Sequence, residues 1–234
     1  MSEPHRLYAR PALQALFARE LAMLAPILGG VFGNRGLFLR PHPQAPRALP
    51  AHLLATMHEF AVTDRRLEGV ARCDPDALPF ANDVFKLVIA QHVFEQVDDA
   101  AAAASELSRV LAPEGVALVL GFNPASPWRI WLSGTAARAG TPLTIRSAQA
   151  WQQILMREQI DTLQIRYPGR WWPRTDHAPE EASAKSAALG RFSSSWLLLA
   201  RKRRSTLTPL RLKSGARERS LNPRLAPGAH RQIA

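Results

Sequence analysis

The sequence predicts a single α/β domain, built on a mostly parallel sheet with helices on both faces. Two apolar runs carry this prediction, residues 87–90 and residues 116–120, and a helix-forming segment lies between them. Continuous apolar runs are typical of parallel strands that are buried on both faces, and the strand–helix–strand order implies a right-handed crossover. With 234 residues, 47% of them hydrophobic, we expect one core of ordinary size.

The segment before the first run contains helix and strand signals in alternation. Apolar residues spaced three and four apart predict an amphipathic helix from Pro11. Residues 36–39 are a short apolar run that predicts a buried strand, and the prolines that follow end it. A short helix is expected over residues 48–57, a second strand over 59–63 and a third over 69–73.

The helix between the two apolar runs has clear boundaries. Two acids, Asp98 and Asp99, precede a run of alanines, where they suit the positive end of a helix. Pro113 and Gly115 follow it as stop signals.

The last third of the domain is less regular. Residues 125–146 contain prolines and two tryptophans and are predicted to be an insertion or lid. Ser147 can cap a following helix, and strands over residues 162–167 and 196–200 are expected to close the domain.

The positive charge of the chain is concentrated at its C-terminal end. Of the formal net charge of +11, residues 201–234 contribute +9 from ten Lys and Arg and one acid. This segment has too few large apolar residues to offset chain entropy, so we expect a domain over residues 1–200 and a basic disordered tail over 201–234. Its charge favours weak contact with nucleic acid, although no aromatic residue is interleaved for base stacking.

Cysteine use and hydropathy predict a cytoplasmic protein without a membrane partner. The single cysteine, Cys73, cannot form an intramolecular disulfide and suits a reducing compartment. The longest apolar run near the N-terminus, residues 21–32, is too short to span a bilayer, and no signal peptide is predicted. The histidines and Cys73 do not have the spacing of a metal site.

Residues 74–115 carry a series of short motifs in a fixed order. The matching residues are Asp74, Leu-Pro-Phe at 78–80, Phe-Lys-Leu-Val at 85–88, His-Val-Phe-Glu at 92–95, and Glu106 with Arg-Val-Leu-Ala-Pro-Glu-Gly at 109–115. In order and spacing this stretch resembles the small type 11 class I S-adenosylmethionine-dependent methyltransferases. Gly-Phe-Asn-Pro at 121–124 is similar to the signature of a proteobacterial branch of that family.

The resemblance implies a fold, a cofactor and a reaction. The fold is the Rossmann-like class I methyltransferase fold, with a mostly parallel sheet of about seven strands. The cofactor is S-adenosyl-L-methionine, lying across the carboxyl ends of the first strands. Methyl transfer from a sulfonium is an in-line displacement, so the protein mainly positions an acceptor, excludes water and, where needed, removes a proton. The acceptor, a small molecule or a macromolecule, is not indicated.

Five residues correspond to the family's cofactor-binding positions. Asp74 stands where an acid accepts the adenine amino group, and Leu78 and Phe80 would line the adenine pocket. Asp64 or Glu59 would be the acid that binds the ribose hydroxyls. For Asp74 the alternative is a structural one, the start of a turn before proline.

Two residues correspond to positions that face the transferable methyl group. His92 follows the fourth strand of the family's sheet and could act as a base or orient the acceptor. Asn123 follows the fifth strand and is the second candidate. A hydrogen-bonded structural histidine and a turn before Pro124 are the alternatives, and we rank them first.

The segment after the first predicted strand departs from the family. A glycine-rich loop normally lets the backbone approach the methionine moiety at a helix N-terminus. Residues 40–46 instead read Arg-Pro-His-Pro-Gln-Ala-Pro, and prolines have no N–H group to hold a carboxylate. The glycines at 29, 30, 33 and 36 precede the predicted strand.

Three functions therefore stay open. The first is a methyltransferase with weakened cofactor binding, and the second is a catalytically inactive interaction protein that keeps the fold. The third is association with nucleic acid through residues 201–234.

Overall fold

The two apolar runs form neighbouring strands at the centre of a sheet. In the computed structural model, which describes residues 7–140, 143–168 and 192–203, strands β5 (Phe85–Gln91) and β6 (Leu111–Phe122) pair in parallel. Helix α3 (Ala100–Val110) connects them. The predicted strand–helix–strand unit is confirmed.

Six further strands extend the sheet on both sides: β1 (Phe32–Arg40), β2 (Leu53–Thr63), β3 (Arg66–Glu68), β4 (Arg72–Cys73), β7 (Ile160–Arg166) and β8 (Ser195–Lys202). Their order is β4-β3-β2-β1-β5-β6-β8-β7. Strands β2, β1, β5 and β6 are parallel, whereas β8 runs antiparallel to both of its neighbours. The predicted closing strands over 162–167 and 196–200 are confirmed within β7 and β8.

The edge formed by β3 and β4 explains why the described sheet has eight strands, one more than expected. Only nine residues separate Asp64 from Asp74, too few for a crossover helix, so the chain returns as an antiparallel hairpin. Asp64 and Arg65 have φ values of 49° and 65°, the left-handed conformation of a tight hairpin turn. Of the third strand expected over residues 69–73, only Arg72–Cys73 is a strand, and residues 69–71 form the bend between β3 and β4.

Helices cover both faces of the sheet. On one face, Leu87 and Ile89 pack with residues of α1 (Pro11–Met23) and α2 (Ala25–Leu28), such as Leu21. On the other, Val88 and Ala90 pack with residues of α3 and of α5 (Ala148–Arg157). Ser147 caps α5 through its hydroxyl, as predicted.

The predicted lid contains a helix that packs on α1. Helix α4 (Trp128–Arg138) buries Trp128 and Leu132 in one apolar cluster with Leu13 and Phe17 of α1. This cluster lies beyond the sheet, against Phe122 at the end of β6. The two elements together cover the carboxyl end of the central strands.

Residues 41–57 do not follow the sequence prediction. The prediction of a helix over residues 48–57 is wrong, because β2 begins at Leu53 and pairs with β1 from Phe32 onwards. The connection over residues 41–52 contains no helix in the described structure. Strand β1 also begins earlier than expected, so Gly33 and Gly36 lie inside it. Pairing with a neighbouring strand has overridden the local helical tendency.

One stretch of the described chain, Pro11–Leu28, is long and apolar enough to cross a membrane by length and composition alone. In the structure Leu13, Phe17 and Leu24 of this stretch are completely buried in the protein. Such a pattern is typical of a core helix. The stretch therefore gives no clear evidence for a membrane protein.

The N-terminal cap of α3 gives a first stability prediction. One carboxylate oxygen of Asp99 accepts hydrogen bonds from the N–H groups of Ala101 and Ala102, at 2.8 and 3.1 Å. Asp99→Ala is expected to lower the free energy of unfolding by about 1 kcal/mol, measured by urea denaturation. Asp99→Asn keeps the acceptor and serves as the control, which should change little. Equal losses in both variants would contradict the capping role.

Candidate functional site

The carboxyl ends of the parallel strands define the candidate site. Strands β1, β2, β5 and β6 end at Arg40, Thr63, Gln91 and Phe122 on the same edge of the sheet. Open α/β sheets bind their ligands at this edge, in the loops that follow the strands. The seven residues predicted to have a functional role lie in these strands or in loops next to them. They differ in their hydrogen bonds, ion pairs and burial.

Asp74 follows β4 and is paired with an arginine. Arg66 Nε and Nη2 donate to its two carboxylate oxygens, at 2.7 and 3.0 Å. These hydrogen bonds hold the pKa of Asp74 below its usual value. Because the side chain is still 49% exposed, the charged carboxylate can accept a further hydrogen bond from solvent or a ligand.

Hydrogen bonds with two residues of α3 hold the turn that contains Leu78 and Phe80. Glu106 accepts the N–H of Leu78 at 2.5 Å, and Arg109 donates to the carbonyl oxygens of Leu78 and Phe80. Leu78 is buried in the core, whereas the Phe80 ring is partly buried, 4.8 Å from Phe85 between ring centroids. The resemblance had marked Glu106 and Arg109 only as matching residues, and the structure gives them this supporting role.

The two candidate ribose acids have different surroundings. Glu59 lies in β2 between two guanidinium groups, 3.8 Å from that of Arg40 and 3.3 Å from that of Arg47. Asp64 lies at the turn after β2 and is exposed. Of the two, Asp64 presents its carboxylate at the carboxyl edge, while Glu59 neutralises nearby cations.

The loop after β1 is held in place by side chains rather than by a helix. Arg40 Nη1 donates to the carbonyl oxygens of Pro43 and Ala45, at 3.3 and 3.0 Å. His42 is buried and its ring stacks on Tyr8, with centroids 5.5 Å apart and planes 10° from parallel. Gln96 Nε2 donates to the carbonyl oxygen of Pro41 at 2.9 Å. The loop therefore packs against the N-terminal segment and the loop after β5.

Arg40, at the end of β1 before this loop, has one N–H group that can donate a further hydrogen bond. Arg40 Nε is buried and, among the residues that the structure describes, has no hydrogen-bond partner. Burial lowers the pKa of the Arg40 guanidinium from its usual value. Glu59 lies near Nη2 and leaves Nε without an acceptor in the described chain, so Arg40 is suited to bind an anionic group through Nε where the family uses backbone N–H groups.

His92 lies between two carboxylates in the interior. Its Nε2 is 3.0 and 3.1 Å from the two oxygens of Glu20, and its Nδ1 is 3.2 Å from Glu95 Oε1. Burial alone would lower the pKa of His92, but the two carboxylates outweigh it and raise the pKa to about 10. The ring is therefore an imidazolium with both nitrogens occupied, which leaves none to take a proton from an acceptor.

Sequence analysis did not identify Glu20 as a partner of His92. The signal was present, because Glu20 lies three and four positions after Phe17 and Leu16 and so shares the apolar face of α1. An acid on a buried helix face needs a partner. The sequence alone does not say which one.

Asn123 is bound to the backbone of two neighbouring segments. Its Nδ2 donates to the carbonyl oxygen of Ser193 at 3.0 Å, and its Oδ1 accepts the N–H of Ala125 at 3.1 Å. The side chain is almost completely buried. This geometry is that of an Asx turn which also fastens the segment before β8.

Comparisons with known proteins agree with this architecture. Residues 45–119 match the family model described as a methyltransferase domain. A Bacillus halodurans protein assigned as a methyltransferase is 17% identical, with a TM-score of 0.54, over 78% of this chain and 98% of its own. An S-adenosylmethionine-dependent methyltransferase of Thermotoga maritima is 13% identical, with a TM-score of 0.53, over 86% of this chain and 95% of its own.

No curated protein matches the chain in sequence. The two solved structures are similar in fold alone at these identities, and the fold is the one that the strand order and the helices on both faces describe. Residues 45–119 thus match the model of a methyltransferase domain, and the chain has the Rossmann-like class I methyltransferase fold.

Proposed function

We propose that the protein is a cytoplasmic methyltransferase that binds S-adenosyl-L-methionine across the carboxyl ends of β1, β2 and β5. The main support is that residues 45–119 match the methyltransferase domain, and that Asp64, Asp74 and His92 each follow a strand at this edge. When bound, the cofactor supplies an electrophilic methyl group. The protein's own residues bind, orient and exclude water.

The adenosine part suits the side of the site formed by β2 to β4. Asp74 accepts the adenine amino group with the part of its carboxylate that Arg66 leaves exposed. The partly buried ring of Phe80, with Leu78 behind it, gives the adenine an apolar surface. Asp64 is the exposed acid that accepts the ribose hydroxyls.

The methionine part suits Arg40 in place of a glycine loop. Three prolines in residues 41–46 remove backbone donors, whereas the unpartnered Arg40 Nε, as far as the described chain shows, offers a charged one. Helices α1 and α4 cover the neighbouring edge and exclude water from it. His92, held as an imidazolium, fixes α1 over this edge instead of removing a proton.

Calorimetry of the full chain with S-adenosylhomocysteine tests the proposal. We expect saturable binding. If folded protein, checked by circular dichroism, binds none at millimolar ligand, the chain is instead a catalytically inactive, methyltransferase-like interaction protein.

The proposed contact with adenine predicts a specific loss of affinity. Asp74→Asn is expected to weaken S-adenosylhomocysteine binding about tenfold, because one charge-assisted hydrogen bond contributes about 1.5 kcal/mol. Asp83→Asn is a matched control, since Asp83 is also an ion-paired carboxylate that is 50% exposed, but its partner is Lys202. Calorimetry compares the two variants. Equal affinities would exclude Asp74 from the site.

We also propose that the basic C-terminal segment contacts nucleic acid. Arg201, Lys202 and Arg203 pair with acids of the domain, namely Glu114, Asp83 and Asp161. The other seven of the ten basic residues lie beyond residue 203, outside the described part of the chain, and are the ones proposed to contact nucleic acid. Changing those seven to Gln in the full chain should abolish DNA or RNA binding at physiological salt. Unchanged binding would contradict this second function.

A further inference from the structure

Buried polar atoms without a partner are concentrated behind α1. Within the described ranges, nine buried side-chain nitrogen or oxygen atoms lack a hydrogen-bond partner, and four of them belong to Tyr8, Gln91, Glu95 and Trp128. Leaving such an atom unsatisfied costs free energy, so each one needs a physical explanation. Four such atoms in one neighbourhood favour a bound polar ligand or water there over four separate defects.

These four residues surround one set of aromatic rings. Tyr8 and Trp128 share an apolar cluster with Phe17 and Phe122. The centroid of the His92 ring lies 5.0 Å from that of Phe17 and 4.0 Å from that of Phe122. The neighbourhood therefore lies at the carboxyl ends of β5 and β6, under α1 and α4.

Hydrogen bonds connect two of the four residues, Gln91 and Glu95, through Glu20 and His92. Gln91 Nε2 donates to Glu20 at 2.9 Å, and His92 joins Glu20 to Glu95. Burial raises the pKa of Tyr8, and the charge of Glu95 raises it further. The Tyr8 phenol thus stays neutral and lies within electrostatic reach of the Glu95 carboxylate.

The charges of this group do not balance. Two buried carboxylates, Glu20 and Glu95, face a single imidazolium, that of His92. Glu95 Oε1 accepts from His92 and from the N–H of Phe122, at 3.2 and 2.7 Å, while Oε2 accepts nothing from the residues described. A carboxylate oxygen without a partner, in a group with an excess of negative charge, is the environment that an amine or ammonium group prefers.

We infer that Glu95 Oε2 and Tyr8 Oη bind the nitrogen of the methyl acceptor, so that the acceptor is an amine. This inference rests on the proposed methyl transfer and names the substrate class of the same site. The nitrogen lone pair of the neutral amine forms the new N–CH3 bond while the S–CH3 bond breaks and the sulfonium becomes a thioether. The proton released from nitrogen goes to Glu95 Oε2, the one oxygen of that carboxylate that makes no bond within the described structure.

The hydroxyl of Tyr8 can be removed without disturbing its packing. The ring of Tyr8 is held on its faces by His42 and Phe17, with centroids 5.5 and 6.3 Å away. Tyr8→Phe keeps these contacts. The chain has one other tyrosine, Tyr167, whose hydroxyl accepts from Gln149 Nε2 at 3.0 Å, so Tyr167→Phe is a matched control.

The test compares amines with alcohols of the same shape. The full chain is incubated with S-adenosylmethionine and with ethylamine, benzylamine, ethanol or benzyl alcohol, and release of S-adenosylhomocysteine is measured. We expect turnover with at least one amine and none with its alcohol. Tyr8→Phe and Glu95→Gln should each lower kcat/KM for the amine at least tenfold, with S-adenosylhomocysteine affinity and the Tyr167→Phe control unchanged.

Two results would overturn the inference. One is equal turnover of alcohol and amine, or of neither. The other is a Tyr8→Phe variant with normal turnover and an unchanged or raised Tm, which would mean that ordered water alone satisfies these atoms. If the cofactor itself does not bind, the proposed function fails separately, and calorimetry with benzylamine alone, on wild type and Tyr8→Phe, still decides whether an amine binds at Tyr8.

Discussion

Replacing Glu20 with Gln is expected to lower the free energy of unfolding by about 3 kcal/mol, because it leaves a buried imidazolium with one carboxylate instead of two. Both side chains of the pair are fully buried, and Glu20 also accepts from Gln91. A neutral amide fits the same space but is a weaker acceptor for His92 Nε2, so the buried imidazolium loses its shorter charge-assisted hydrogen bond and keeps only the one to Glu95. Urea denaturation at pH 7 measures the loss.

The same pair makes stability depend on pH in a defined direction. The pKa of His92 is about 10 in the folded protein and near its ordinary 6.5 when unfolded. Its contribution is therefore complete below pH 6.5 and is lost as the pH rises towards 10, at up to about 1.4 kcal/mol per pH unit. Measurements at pH 6.5, 7.5 and 8.5 should show falling stability. They stay below the range in which Cys73, whose pKa burial raises to about 11, contributes.

Two comparisons isolate this effect. Glu20→Gln should flatten the decline between pH 6.5 and 8.5, since one carboxylate raises the pKa of His92 less than two. Glu68→Gln is the control, because Glu68 pairs with Arg72 at the surface, 41% and 52% exposed, where ion pairs contribute at most about 1 kcal/mol. A decline that is equally steep in wild type and Glu20→Gln would show that His92 does not carry it.

The elements that could be predicted are those whose signals are local. Helix α3 follows from an alanine run with Asp99 before it, and β5 and β6 follow from uninterrupted apolar residues. In each case the residues that define the element also decide its burial. The strand–helix–strand unit therefore needed no knowledge of the rest of the chain.

The elements that could not be predicted depend on distant partners. Residues 53–57 have no strong strand signal of their own and become part of β2 by pairing with residues 32–36 of β1. Glu20 and His92 are 72 residues apart, and only the packing of α1 on the sheet brings them together. The sequence identified the motif residues of the candidate site. It did not show that Glu59, Asp74 and His92 form ion pairs with other side chains.

The Gly-Phe-Asn-Pro signature has one feature that the sequence predicted, its position, and one that it did not, its contacts. The resemblance placed it near the methyl group, and the structure places it at the end of β6, beside His92. The N–H of Phe122 donates to Glu95 and its ring packs on His92. Asn123 fastens the segment before β8. The residues of the signature shape the proposed acceptor site by packing, which a motif comparison alone does not show.

Gly121 of this signature gives the second large expected effect. It pairs with Trp196 of β8, and an added Cβ atom would lie 2.7 Å from Cε2 and 2.9 Å from Cη2 of the indole ring. The ring cannot retreat easily, since it is buried and its Nε1 donates to the carbonyl oxygens of Phe122 and Arg146, both at 3.0 Å. Gly121→Ala is expected to lower the free energy of unfolding by about 3 kcal/mol.

Replacing a second glycine with alanine is expected to raise the free energy of unfolding instead of lowering it. Gly134 lies inside α4, and a Cβ atom added there meets nothing within 4 Å. Because alanine is the better helix former, Gly134→Ala should raise the free energy of unfolding by about 0.5 to 1 kcal/mol. Urea denaturation of both variants under one condition compares them. If Gly121→Ala were as stable as wild type, the indole of Trp196 could not lie over β6 as described, and the wall that it forms behind Phe122 and Asn123 would have to be different.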